Sequence, residues 1–205
     1  MHLYLKRARK ILQSQGLSSL LRTIFLKLST TFLHTFFNIP KRKIGVYNGI
    51  PIPNLHITAT QDVFNNVEPH ECNVIETYIK EGDTVIIIGT NVGMSTIKAA
   101  KKTKKSGKVF SYEAVKFKLD IAKDAAQINN VEKQIEFIHA IIEKNVYIPD
   151  DIDESVNVLP ASKLPDCRVM TIDCEGAELE VLKNITIKPE IIYTEIHPHL
   201  GVNIE

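Results

Sequence analysis

Four consecutive apolar residues, Val85 to Ile88, separate Thr84 from the loop Gly89-Thr90-Asn91-Val92-Gly93 and the stretch Met94 to Ala100. An unbroken aliphatic run of this length suits a strand buried on both faces, and such strands belong to parallel sheets covered by helices. The loop then has to turn the chain into a helix. The first N–H groups of that helix have no intrahelical partner. With glycines that let the backbone come close, they form a cradle for an anionic or nucleotide-like ligand. A strand-to-helix turn also needs glycine for its own sake, and Asn91 stands where the dinucleotide fingerprint has its middle glycine. The loop alone leaves both readings open.

The next unit favours a ligand. Lys108 to Glu113 reads as a second strand that ends on an acid 24 residues after Gly89. There a carboxylate can accept hydrogen bonds from the hydroxyls of a ribose. A helix over 115–129 should turn Ile121, Ala122, Ala125 and Ile128 inward, and a helix starting at Pro69 should do the same with Val74, Ile75, Tyr78 and Ile79. Ile135 to Ile138 is a third strand, Arg168 to Ile172 a fourth and Ile191 to Glu195 a fifth, with a helix over 179–184. Residues 144–166 read as irregular, with an acidic turn at 150–154. Strands and helices alternating in this way predict an α/β fold, a Rossmann-like, doubly wound and mainly parallel sheet. Ligands of such sheets bind at the strands' carboxyl ends. The polar residues gather there: the Gly89–Gly93 loop, Glu113, Asp173 with Glu175, and Glu195 with His197.

Two blocks are narrower in their implication: Met170-Thr171-Ile172-Asp173-Cys174-Glu175-Gly176-Ala177-Glu178, and Ile191 to Pro198 with its Glu195-x-His197 end. With the loop at 82–93 and Ser111 to Ala114, they resemble the class I S-adenosylmethionine-dependent methyltransferases. More narrowly, they resemble the FkbM family, whose members mostly O-methylate sugars and related hydroxyl compounds. The resemblance covers about residues 44 to 200. It implies S-adenosylmethionine as cofactor, with Gly89, Thr90, Asn91 and Gly93 around its methionine part, Glu113 on the ribose and Ala140, after the third strand, beside the adenine. It implies Asp173 and His197 as base or acceptor-orienting groups, Glu195 steering the histidine and Glu175 in a lesser role. A divalent cation on Asp173 and Glu175 is conceivable, but two carboxylates fall short of a hard-metal site. The chain departs from the family at Ile87, where an acid is usual, and at Thr171, where a base is usual. Glu205 follows Glu195 by ten residues, so the last strands of the class I fold are expected to be missing.

Charge divides the chain. Residues 1–61 hold nine Lys or Arg and no acid, while residues 62–205 hold 16 basic and 24 acidic residues. Residues 1–40 read as a basic, amphipathic helical extension, with Leu17, Leu20, Leu21, Ile24, Phe25 and Leu28 at helical spacing, and residues 41–205 as the methyltransferase-like domain. The segment 39–43 reads as a hinge. Asn48-Gly49 between two short apolar runs marks a hairpin, whose second strand is confined to an edge by Pro51 and Pro53. The longest charge-free run of the extension, 28–40, has 13 residues, short of the roughly 20 that cross a bilayer. Residues 1–37 suit a peripheral contact with an anionic membrane, or packing on the domain or in a homodimer. Nucleic-acid binding is not expected. Three cysteines without a Cys-x-x-Cys pair point to a reducing, cytoplasmic setting.

The function expected is O-methylation of a glycan or small hydroxylated metabolite. The alternatives are a scaffold that keeps the fold with weak or no activity, motivated by Ile87, and a nicotinamide-dependent oxidoreductase. The oxidoreductase is disfavoured by the missing middle glycine.

Overall fold

A computed structural model describes residues 2–37, 42–57, 59–143 and 156–197. The acidic turn at 150–154 and most of the hinge at 39–43 lie outside these residues. The chain divides into two compact units, Met1–Ile44 with Asn54–Asp62, and Gly45–Pro53 with Val63–Glu205.

The first unit is led by α1 (His2–Phe37), which is two helices joined across Gly16, where φ is 82° and ψ is 174°. Lys43 Nζ donates to Ala59 O at 2.7 Å and to Asp62 Oδ1 at 2.5 Å. The predicted hairpin forms from β1 (Arg42–Tyr47) and β2 (Ile50–His56), with Asn48 and Gly49 at positive φ. With β3 (Val63–Phe64) they make a sheet in the order β2-β1-β3, which leaves the proline-bearing β2 at an edge as expected.

The second unit is built on six strands: β4 (Thr84–Ile88), β5 (Lys108–Glu113), β6 (Ile135–Ile142), β7 (Asn157–Leu159), β8 (Val169–Ile172) and β9 (Ile191–Thr194). Their order is β7-β6-β5-β4-β8-β9, and every adjacent pair is parallel. This is the Rossmann-like, doubly wound sheet. The period-2 alternation of side chains splits the opening tetrad between two cores. Val85 and Ile87 pack with residues of α2 (Pro69–Tyr78), α3 (Met94–Thr103) and α4 (Lys116–Ile128). Ile86 and Ile88 pack on the other face with Leu164, with Ala177 and with Val181 of α5 (Glu178–Asn184). All four are at most 3% exposed, and each full burial contributes about 1.5–3 kcal/mol.

Four expectations are corrected. Tyr78 and Ile128, the last residues of their helices, are 42% and 41% exposed, although Ile79 and Val131 beyond them are buried in the core. The stretch 144–166 is not irregular throughout: 157–159 adds β7, which pairs with β6 through Ala140 and Asn157, and 161–163 forms a 3-10 turn. The third strand does not end at Ile138 but runs to Ile142. Ala140 therefore lies within β6, 2% exposed, and not in a loop after the strand.

Candidate active site

The chain leaves β4 toward β5 and β6, then returns to the other side of β4 with β8. The switch point falls between β4 and β8, and their carboxyl ends frame the crevice where ligands of doubly wound sheets bind. One wall is the Gly89–Gly93 loop. Gly89 and Thr90 donate their N–H groups to Tyr112 O, both at 3.0 Å, and Gly93 N donates to Thr90 O at 2.9 Å. Glu113, 6% exposed, ties the loop from the end of β5: Oε2 accepts from Asn91 N at 2.7 Å and Oε1 from Val115 N at 2.8 Å. Burial raises the Glu113 pKa, against the lowering effect of these backbone donors.

Thr90 faces inward. Its hydroxyl donates to Tyr112 O at 3.0 Å, so the 2.5 Å contact with Ser111 is one in which Ser111 donates. Thr96 completes the row by donating to Ser111 at 2.8 Å. These three buried hydroxyls are satisfied among themselves and hold the loop. The glycines have a structural cause too. A Cβ on Gly89 would lie 1.8 Å from Asp173 O, and one on Gly93 would lie 2.9 Å from Ala122 Cβ. Glycine is required at these positions by the approach of β8 and α4, whatever the loop binds.

The other wall is Asp173 to Gly176, the start of α5 and the end of β9. Here the structure brings together Asp173, Glu178 and His197, whose donor atoms lie within 4.8 Å of one another. Nδ1 of His197 donates to Oε1 of Glu178 at 2.9 Å, and Nε2 is 3.7 Å from Asp173 Oδ1. Glu195, expected to steer the histidine, stands 3.9 Å from Nε2 and is exposed. Glu178, 0% exposed, holds the ring instead. Glu175 is exposed and lies outside the trio. Burial lowers the His197 pKa, but the bond to Glu178 and the charges of Asp173, Glu178 and Glu175 outweigh it, and the net shift is upward.

Two more carboxylates arrive from α2, neither singled out by the sequence. Asn48 holds the chain ahead of that helix, donating from Nδ2 to Val67 O at 2.6 Å and accepting from Val67 N at 3.1 Å. Glu68 precedes the helix with φ 45°, and Glu71, 7% exposed, accepts from the Ser95 hydroxyl. Burial raises both, with the charge of Glu71 pushing Glu68 up to about 7. Asp173 is pushed up to about 6 by burial and by the charges of Glu195, Glu68 and Glu175, against the opposing pull of His197. Among the described residues, no Lys or Arg pairs with Glu68, Glu71, Asp173 or Glu178. Asp173 Oδ1 and Glu178 Oε2 are buried without a hydrogen-bond donor. Among the described residues the crevice is therefore rich in carboxyl groups that only His197 offsets, a setting that favours a cationic ligand.

A stability profile tests this electrostatics. Carboxyls whose folded pKa exceeds the unfolded value stabilise the fold while protonated. That contribution is full below the unfolded values of 3.8 and 4.5 and is lost as pH rises through about 6 and about 7. His197, also raised, has the same sign. The unfolding free energy from urea titration should fall by on the order of 2 kcal/mol between about pH 4.5 and pH 8, and Asp173→Asn should flatten much of that fall. A profile that is level or rising across this window would contradict the cluster.

No protein-family model and no curated protein sequence matches the chain. Solved structures are similar to it at low identity. A precorrin-6y C5,15-methyltransferase from Geobacter metallireducens GS-15 is 15% identical over 70% of this chain and 67% of its own, with a TM-score of 0.49. An O-methyltransferase from Bacillus cereus in complex with SAH is 14% identical over 88% and 68%, with a TM-score of 0.39. A SAM-dependent O-methyltransferase from Thermotoga maritima is 15% identical over 62% of this chain, with a TM-score of 0.44, and the chain spans 41% of that protein's length.

Proposed function

We propose that this chain is an S-adenosylmethionine-dependent methyltransferase of the FkbM kind that methylates a hydroxyl of a sugar, glycan or small metabolite. The observation that carries the reading is the pair of buried Glu178 and half-buried His197 facing Asp173 beside the loop at the β4–β8 switch point. The cofactor fits this crevice by charge. It carries a sulfonium and an ammonium group, and the carboxylates of Glu68, Glu71 and Asp173 gather there with no Lys or Arg partner among the described residues. Glu68 and Glu71 supply the negative charge that Ile87 does not. The N–H groups opening α3 and the loop of Gly89, Asn91 and Gly93 would hold the methionine part, and Glu113, through its remaining lone pairs, the ribose.

Bound, the cofactor supplies an electrophilic methyl group on sulfur. The chain's own work is orientation and proton removal. Glu178 fixes the proton on Nδ1, which leaves Nε2 as the basic nitrogen. Nε2 would take the proton of the acceptor hydroxyl, and bound S-adenosylmethionine would supply the methyl group that its oxygen accepts. Asp173, 3.7 Å from Nε2, stabilises the imidazolium before the proton passes to solvent. Glu175 and Glu195, both exposed, line the approach.

Calorimetric titration with S-adenosylmethionine, S-adenosylhomocysteine and NAD tests the assignment. Micromolar binding of the first two without NAD is expected. Proton release on binding of the cationic form should appear as a dependence of the heat on buffer ionisation, since a cation lowers the raised Asp173 and Glu68 pKa values. Binding of NAD alone would move the chain to the oxidoreductases, and binding of none of the three would make it a scaffold.

A further inference from the structure

The second half of α1 carries an apolar face open to solvent. Leu17, Leu21, Ile24, Phe25, Leu28 and Phe36 are each 45–70% exposed. At about 100° per residue they fall within an arc of about 120°. By the same register Arg22 and Lys27 lie outside the arc, one beyond each edge, and the opposite side mixes Ser19, Thr23 and Thr30 with Leu26, Leu33 and Phe37. No Asp or Glu occurs in residues 1–61, against nine Lys and Arg. We infer that residues 17–37 lie in the plane of an anionic lipid surface, with Leu21, Phe25 and Leu28 among the acyl chains and Arg22 and Lys27 at the phosphates.

Charge selects this occupant. Two copies of residues 17–37 packed on each other would bring four positive charges (Arg22 and Lys27 of each) together without an acid to pair them. Lipid phosphates complement them, and basic residues at both margins of an apolar arc can reach the headgroups while their stems stay apolar. The helix lies on the surface and does not cross it. At 1.5 Å per residue the 21 residues reach about 31 Å, yet no helix among the described residues is long and apolar enough to cross a membrane. The inference is independent of the methyl-transfer reading, because lipid binding is read without cofactor or acceptor.

Flotation of the full chain with vesicles tests it. Phosphatidylcholine vesicles with about a third phosphatidylglycerol should bind at least about tenfold more protein than pure phosphatidylcholine, and about 0.5 M salt should cut this several-fold. The triple variant Leu21→Glu, Phe25→Glu, Leu28→Glu should lose about tenfold or more. Ser19→Glu, Thr23→Glu, Thr30→Glu, with the same change of charge on the opposite side, should lose about threefold at most. Equal far-ultraviolet circular dichroism checks that the helix persists in both. Phe25→Trp, which needs no disruptive change, should show a blue-shifted emission on the anionic vesicles. Absence of flotation, equal loss in both triple variants, or an unshifted Trp emission would each overturn the inference. So would light scattering that shows a dimer broken by the apolar-face variant with lipid binding unchanged, since a second copy would then be the occupant.

Discussion

Gly89→Ala is expected to lower the unfolding free energy by more than about 3 kcal/mol and to abolish cofactor binding. Two effects add. The residue has φ +93°, a region where an L side chain costs about 1–2 kcal/mol. The new Cβ would also lie 1.8 Å from the Asp173 carbonyl oxygen and 2.8 Å from its carbon, both backbone atoms. Asp173 N donates to Ile88 O at 2.9 Å, so the clash can be relieved only by opening β4 from β8 at the crevice. Gly49→Ala is the matched control. It has φ +80° but nothing within 4 Å, and it should lose only about 1 kcal/mol. Urea unfolding of the two variants side by side decides the matter: equal losses would mean that the strand ends are not in close approach.

His197→Ala should reduce methyl transfer by about 10² to 10⁴-fold, the usual contribution of a positioned base. It also leaves Glu178 fully buried without the imidazole, so some loss of stability accompanies it. Glu178→Gln separates the two effects. An amide of the same shape can still meet the ring, but it removes the charge that raises the His197 pKa. The rising limb of the pH–rate profile should lie above the ordinary histidine value of 6.5 in the wild type and shift to lower pH in Glu178→Gln. A purely structural role would leave that limb in place. Turnover within threefold of wild type in His197→Ala would sink the assignment of the base.

The strands were legible because their signal is local. Val85–Ile88, Lys108–Glu113 and Ile191–Thr194 form where their residue patterns place them, and the prolines put β2 at an edge. β7 was not legible: three residues, two of them exposed, carry no periodic pattern and become a strand only by pairing with β6. Helical spacing also misplaces Tyr78 and Ile128: each is the last residue of its helix and turns to solvent, while Ile79 and Val131 beyond them are buried.

At the site, the family resemblance implies Glu195, two residues before it, as the partner of His197. Glu178 is 19 positions away, and an acid at the start of a helix reads equally well as a charge complementing the helix dipole. Glu68 and Glu71 gave less warning still, standing among ordinary acids in the segment before β4.

The sequence by itself determined the doubly wound sheet and the placing of polar residues at its carboxyl ends, because two-face burial and strand–loop–helix order are written in neighbouring residues. Only the tertiary structure decided that Glu178 holds His197, that the glycines serve the approach of β8 and α4, and that Glu68, Glu71 and Asp173 gather in one crevice. Those depend on distances across the β4–β8 switch, and such distances follow from strand order, not from spacing along the chain.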